Sequence, residues 1–210
     1  MNKYSYDTRM YNIQELMKNI LEEDDLSQIG VEEEHELYDD AVNDQSSKYH
    51  KKYYNNVTSE FFEVYDKLAS EIASKIFPDT EVAYQRKPTF RIHLKDNLAV
   101  GEFHKDKAYS HDTEEVNVFL PLTPAYGNNT IWVESEEDKG DYSPMNCDLG
   151  QYIVWDGANL THGNKKNNTT GTRVSIDFRF IKLQDMEDNA KESITTGTPM
   201  TLGKYWKTCT

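Results

Sequence analysis

Three features of the sequence predict a mainly β fold with helices flanking one sheet. Beyond Pro78, short runs rich in Val, Ile, Phe and Tyr alternate with turn residues. No helical pattern lies between those runs, which argues for an antiparallel sandwich or barrel. Ahead of Pro78 sits an amphipathic helix whose apolar stripe suits one face of a sheet.

Taken in chain order, Met10 to Leu21 carries Ile13, Leu16, Met17, Ile20 and Leu21 at helical spacing. Residues 22–44 are dominated by carboxylates. They read as a solvated segment that buries little, with a lid over a site as the sharper alternative. Asn56 to Phe77 is the best helix: Phe61, Val64, Tyr65, Leu68, Ile72 and Ile76 fall on one stripe, and Pro78 stops it. Strands are expected over Val82–Arg86, Thr89–Leu94, Leu98–Phe103, Val116–Leu120, Thr130–Glu134, Gln151–Trp155 and Arg173–Ile181. Gly127-Asn128-Asn129, Lys139-Gly140-Asp141 and Gly163-Asn164 punctuate them. In the last strand Val174, Ile176, Phe178 and Phe180 share one face, while Arg173, Ser175, Asp177 and Arg179 share the other. That polar face meets either water or a lined cavity. The tail from 183 to 210 is turn-rich until Tyr205 and Trp206. It is expected to add little to the sheet, with those two aromatics either packed on the outer helices or folded near a cavity mouth.

The 210 residues and 37% hydrophobic content suit one domain over 1–210: a helical and acidic part (1–80), a β core (81–182) and the tail. A formal net charge of -14 without a basic stripe argues against nucleic acid and anionic membranes as partners. The start, MNKYSYDTRM, lacks an apolar signal region, and no run is long enough to span a bilayer, so a cytoplasmic location is expected. Cys147 and Cys209 read as free thiols.

The chemistry concentrates in a few residues. His104 and Asp106, two apart on an extended segment, leave the same face and can reach one ion. Two imidazoles and one carboxylate on a triangular face suit iron(II) and leave positions open for substrate and dioxygen. His162, which follows a strand, supplies the second imidazole. Eleven residues later Arg173 and Ser175 share a strand face, where a guanidinium fork and a hydroxyl can grip a carboxylate. Arg179, on the same face, is the rival for that grip or else a structural ion pair. Asn117, Glu134 and Trp155 are candidate cavity residues. His93 and His111 are expected to stay off the metal.

These residues, in this order, resemble the iron(II)- and 2-oxoglutarate-dependent oxygenase superfamily from about Thr89 to Ile181. The stretches that carry the resemblance are Gly101-Glu102-Phe103-His104-Lys105-Asp106, Asn117-Val118-Phe119-Leu120-Pro121-Leu122, Asn129-Thr130-Ile131-Trp132-Val133-Glu134-Ser135, His162-Gly163-Asn164 and Thr172-Arg173-Val174-Ser175-Ile176-Asp177-Phe178-Arg179. They are more similar to phytanoyl-CoA-hydroxylase-like and antibiotic-biosynthesis hydroxylases than to prolyl hydroxylases. The resemblance implies a double-stranded β-helix, the cupin-like jelly roll, with N-terminal helices on one sheet. It implies Fe(II) held by His104, Asp106 and His162, and 2-oxoglutarate held by Arg173 and Ser175 with Asn117 nearby. It further implies use of O2 to hydroxylate or desaturate an unactivated C–H of a small polar metabolite, with release of succinate and carbon dioxide. Related halogenases lack the carboxylate ligand, and Asp106 is present here. Two other readings stand beside this one: a non-catalytic cupin-type binding protein, and a hydroxylase of protein or peptide side chains. The substrate's identity and the oligomeric state stay open.

Overall fold

The computed structural model of the chain describes residues 1–32, 47–99, 102–109, 111–186, 191–193 and 197–209. In chain order its elements are β1 (Asn2–Ser5), α1 (Ile13–Leu21), α2 (Lys48–Asn56), α3 (Ser59–Ile76), β2 (Val82–Gln85), β3 (Thr89–His93) and β4 (Val116–Pro121). There follow β5 (Trp132–Val133), β6 (Ser143–Pro144), β7 (Gln151–Trp155), β8 (His162–Gly163), β9 (Arg173–Lys182) and β10 (Trp206–Thr208). Among the described residues the larger sheet runs β1-β7-β4-β9-β2-β10, with β3 continuing β2's edge along β9. A smaller sheet, β6-β5-β8, faces it, and every pairing is antiparallel. This is the double-stranded β-helix, mainly β with its helices on one sheet.

The long strand β9 organises both sides. Its apolar face buries Val174, Ile176, Phe178 and Phe180 under the helices, joined by Val118 and Leu120 of β4. From α3 come Phe61, Tyr65, Leu68 and Ile72, all essentially dry. The Tyr65 ring meets Phe178 edge-on at 5.2 Å, and its hydroxyl donates to the Gln85 carbonyl, so the polar tip is satisfied where the ring is buried. Burying each such side chain is worth roughly 1.5–3 kcal/mol. The opposite face of β9 looks toward the smaller sheet. There Phe119, Ile131, Val133, Met145, Ile153 and Trp155 form a second apolar cluster.

Several sequence expectations need correction. The helix expected over Asn56–Phe77 starts at Ser59, and a separate helix, α2, precedes it. Thr58 separates the two because its hydroxyl accepts the Phe61 N–H as an N-cap. The strand expected over Leu98–Phe103 does not form among its described residues; 100 and 101 lie outside them. Asp96 adopts a positive φ of 63°, and the neighbouring backbone bonds go to Asn167 rather than to a strand, so the chain turns away from the ladder. The strand over Thr130–Glu134 contracts to Trp132–Val133. At the other end, within the part expected to be helical and acidic, Asn2–Ser5 is an edge strand on β7. Part of the acidic segment is also packed: Leu26 and Ile29 are buried, and Thr172 donates to the carbonyls of Ser27 and Ile29. Residues 33–46 of that segment lie outside the described residues.

The tail departs most from expectation. Instead of adding little, it closes one edge of the larger sheet, with Trp206 to Thr208 paired antiparallel to Gln85 to Ala83. Trp206 and Tyr205 are buried with Ala83, Ile181 and Met200 in a third cluster, on the sheet edge rather than on the outer helices. Lys207 then ties this strand to Asp66 on α3. Both cysteines are free. No helix among the described residues is long and apolar enough to cross a membrane.

A candidate metal centre between the sheets

His104 and His162 are brought face to face by the backbone. They form an isolated antiparallel bridge, exchanging N–H···O bonds of 2.8 and 2.9 Å, so both rings leave the same side with centroids 4.5 Å apart. Each ring's Nδ1 lies against a backbone carbonyl, that of Glu102 at 2.7 Å for His104 and that of Leu160 at 2.9 Å for His162. A carbonyl can only accept, so Nδ1 carries the proton and the bare lone pair sits on Nε2. Gly163 lets this pairing close: a Cβ there would lie 2.9 Å from the Phe103 ring.

Asp106 arrives differently from the sequence expectation. It does not continue a strand but opens the 3-10 turn Asp106–Tyr109, with its N–H donated to the Gly157 carbonyl at 3.0 Å. Its Oδ1 lies 3.6 Å from His104 Nε2 and 3.5 Å from His162 Nε2. Its Oδ2 is occupied elsewhere. Arg179 donates to it from Nη2 at 2.7 Å and Nε at 3.3 Å, and Asn117 donates at 2.8 Å. Asn117 is held in turn by the Gly157 N–H, and a Cβ on Gly157 would collide with its amide at 2.6 Å. The result is three ligand-type atoms within 4.8 Å of one another, with every other donor or acceptor of those side chains already engaged. Among the described residues these three are the His, Cys and carboxylate groups placed to share an ion.

The electrostatics follow from burial and neighbours. Burial pushes the Asp106 carboxyl up, but Arg179 and the two imidazoles outweigh it and hold the group well below its usual range. Burial draws His162 down to about 4, against the pull of Asp106. On the more open His104, burial acts downward too, yet Asp106 and the Glu102 carbonyl win and the ring is raised.

A cleft with about 660 Å³ of open space extends from this centre. Arg91, Asn117, Arg173, Asp177 and Arg179 line it, along with Trp155, whose ring stands edge-on to His162 at 4.7 Å. Arg173 is buried, its guanidinium near the Phe119 ring and donating to Asn164 Oδ1 at 3.3 Å. Ser175, fully buried on the same strand face, has a hydroxyl with no partner among the described residues. The two arginines weighed as rivals both line the cleft but are engaged differently: Arg179 is paired with Asp106, with Glu115 at 3.4 Å, while Arg173 donates to Asn164.

Of the remaining candidates, Glu134 is buried and accepts the Thr161 and Gly140 N–H groups, which tie β5's exit to β8. Burial pushes its carboxyl up, but those donors prevail and hold it near 2. His93 is dry and fixed between the carbonyls of Asn129 and Asn97, and His111 pairs with Glu115. Neither joins the triad. Sequence reasoning missed the anchoring of Asp106 by Arg179 and Asn117, and the presence of Arg91 in the cleft. A signal existed, since Asn117 and Arg179 are both polar at inward positions of their strands, but their pairing in register is visible only in the folded sheet. Arg91 likewise alternates onto the inward face of β3, opposite Ser175.

The fold and the His-Asp-His arrangement define the class: a double-stranded β-helix protein with a candidate metal triad between its sheets. Among solved structures it is similar to the non-heme monooxygenase ThoJ in its nickel complex (TM-score 0.58, 14% identity, 90% of this chain and 75% of that one). It is also similar to SnoK, a non-heme alpha-ketoglutarate-dependent carbocyclase from nogalamycin biosynthesis (TM-score 0.55, 11% identity, 96% and 88%). A third similar structure is CytC3 with Fe(II) and alpha-ketoglutarate (TM-score 0.53, 10% identity, 88% and 73%). No protein-family model matches the chain. In sequence it is 37% identical over 213 residues to the streptomycin biosynthesis protein StrG of Streptomyces griseus, covering 99% of this chain and all of that protein, and it belongs to the StrG family.

Proposed function

We propose that this chain, acting as one oxygenase domain, is an Fe(II)- and 2-oxoglutarate-dependent dioxygenase that hydroxylates or desaturates a C–H bond of a small polar metabolite. The observation that carries the reading is the convergence of two imidazole Nε2 atoms and one carboxylate oxygen, with the remaining polar atoms of those side chains fixed by the protein. That donor set fits a divalent ion of borderline character and leaves one side open for other ligands. When bound, iron(II) and 2-oxoglutarate together supply, with O2, the oxidising power to break an unactivated C–H, releasing succinate and carbon dioxide.

The protein's own contribution is positioning. Arg179 and Asn117 fix the Asp106 carboxylate with Oδ1 turned to the imidazoles, so we assign Asn117 to orienting a ligand rather than to gripping the cosubstrate. Arg173 presents a guanidinium from the inner face, and the unpartnered Ser175 hydroxyl beside it supports a carboxylate-binding role for the pair. Trp155 and Ile131 wall the cleft with apolar surface that limits water at the reacting centre. SnoK's place in nogalamycin biosynthesis and StrG's in streptomycin biosynthesis support a biosynthetic small molecule as substrate over a protein side chain. A binding protein of the cupin type has no use for a buried arginine and serine set below a metal triad. The test is succinate release from 2-oxoglutarate. The reading requires release that depends on both added iron(II) and O2, and it fails if the chain binds iron without turning over 2-oxoglutarate under any condition.

A further inference from the structure

We infer that the substrate is a phosphorylated small molecule whose phosphate is held in a second cleft beside the metal centre, an inference that rests on the oxygenase reading above. This cleft holds about 750 Å³ of open space and shares Arg91 and Arg179 with the first, so a molecule seated there adjoins the side chain that anchors Asp106. Its far wall is the tail: Ser193, Thr198, Lys204 and Tyr205. Its near wall includes Lys87 and Thr89 at the start of β3.

Charge is the distinguishing feature. The chain carries 37 carboxylate residues against 23 basic ones, yet among the described residues no Asp or Glu lines this cleft. Lysine or arginine appears there four times, as Lys87, Arg91, Arg179 and Lys204. The two arginines are already paired, Arg91 with Asp177 and Arg179 with Asp106. Lys87 and Lys204, both exposed, make no ion pair with any described residue. Two unneutralised ammonium groups at the mouth of a carboxylate-free cleft, in a protein of net charge -14, favour an anion. The type of cation narrows which anion. A guanidinium fork grips carboxylate or phosphate, but both arginines here are already paired, which leaves lysine point charges of the kind that regularly bind phosphate. The hydroxyls of Ser193 and Thr89 add donors suited to phosphate oxygens, and the Tyr205 ring offers a flat apolar surface for the rest of the molecule.

The test is titration of inorganic phosphate into the full chain by calorimetry. Saturating 2-oxoglutarate is present throughout, so that the Arg173 end is filled. The wild type should bind phosphate, and Lys87→Gln with Lys204→Gln combined should weaken that binding about tenfold or more, the worth of one charge-assisted contact. Lys51→Gln, an exposed lysine on α2, should leave it unchanged. Single variants that each lose part of the affinity, with unaltered melting temperatures, exclude misfolding as the cause. No measurable phosphate binding by the wild type, or binding indifferent to both lysines, overturns the inference. Failure of the oxygenase reading would show up separately, as absent succinate release by the wild type.

Discussion

At the scale of single residues, the account separates two arginines that the sequence could not. Both lie on the inner face of β9, and alternation alone makes them equivalent. Only the fold shows Arg179 bonded to Asp106 Oδ2 and Arg173 to Asn164 Oδ1. The separation is testable as a crossed pattern. Arg179→Gln should lower iron(II) affinity about 10–100-fold, the usual effect of removing a ligand's supporting partner. Its effect on 2-oxoglutarate binding should arise only through the metal, and Arg179→Lys should restore part of the loss. Arg173→Gln should raise the KM for 2-oxoglutarate by an amount worth about 1.5–3 kcal/mol and leave iron affinity nearly unchanged. Arg173→Lys should not fully rescue it, because the ammonium lacks the fork. Anaerobic iron titration and 2-oxoglutarate kinetics on the four variants read both halves. A third residue-level prediction concerns acid. Glu134 titrates near 2 in the folded chain against an ordinary 4.5, so its stabilising contribution is complete above about 4.5 and is lost as pH falls toward 2. The stability gap between wild type and Glu134→Gln should therefore be widest near neutrality and close across that window in denaturant titrations run at stepped pH.

At the scale of elements, legibility tracked the length of the pattern. The ten-residue β9 and the eighteen-residue α3 show their periods over enough positions to be read directly, and their apolar stripes do meet. Phe178→Ala, at the centre of that meeting, should cost about 3–5 kcal/mol, seen as a shift in the denaturation midpoint. The two-residue strands β5, β6 and β8 carry no readable period, and past the turn at Asp96 the stretch expected as a strand over Leu98–Phe103 forms none among its described residues. The edge strands β1 and β10 were missed for another reason: short polar segments become strands only because a sheet edge is there to pair with. The tail's role makes its own prediction. Trp206→Ala should destabilise by a similar 3–5 kcal/mol because the ring is fully buried, whereas Leu202→Ala, half exposed four residues earlier, should move the melting temperature little.

At the scale of the whole molecule, the fold class and the three candidate ligands were legible because residue type and order along the chain carry them. What the sequence could not display is how two sheets bring His104, Asp106 and His162 to one point. His104 reaches it through a single backbone bridge, Asp106 from a 3-10 turn, and His162 from the two-residue strand β8. The same closure sets Arg173 in the wall of one cleft, with Ser175 buried on the same strand face, and the tail in the wall of the next. Membership of the StrG family and the shared fold with iron oxygenases agree with that arrangement, and the metal is the point on which the whole functional reading turns. The most direct measurement is the stoichiometry of iron(II) bound under nitrogen by the wild type and by Asp106→Ala and His162→Ala, with circular dichroism alongside. The account predicts one iron per chain in the wild type, and almost none in either variant while the spectrum of the fold is preserved. One iron per chain in both variants would contradict it.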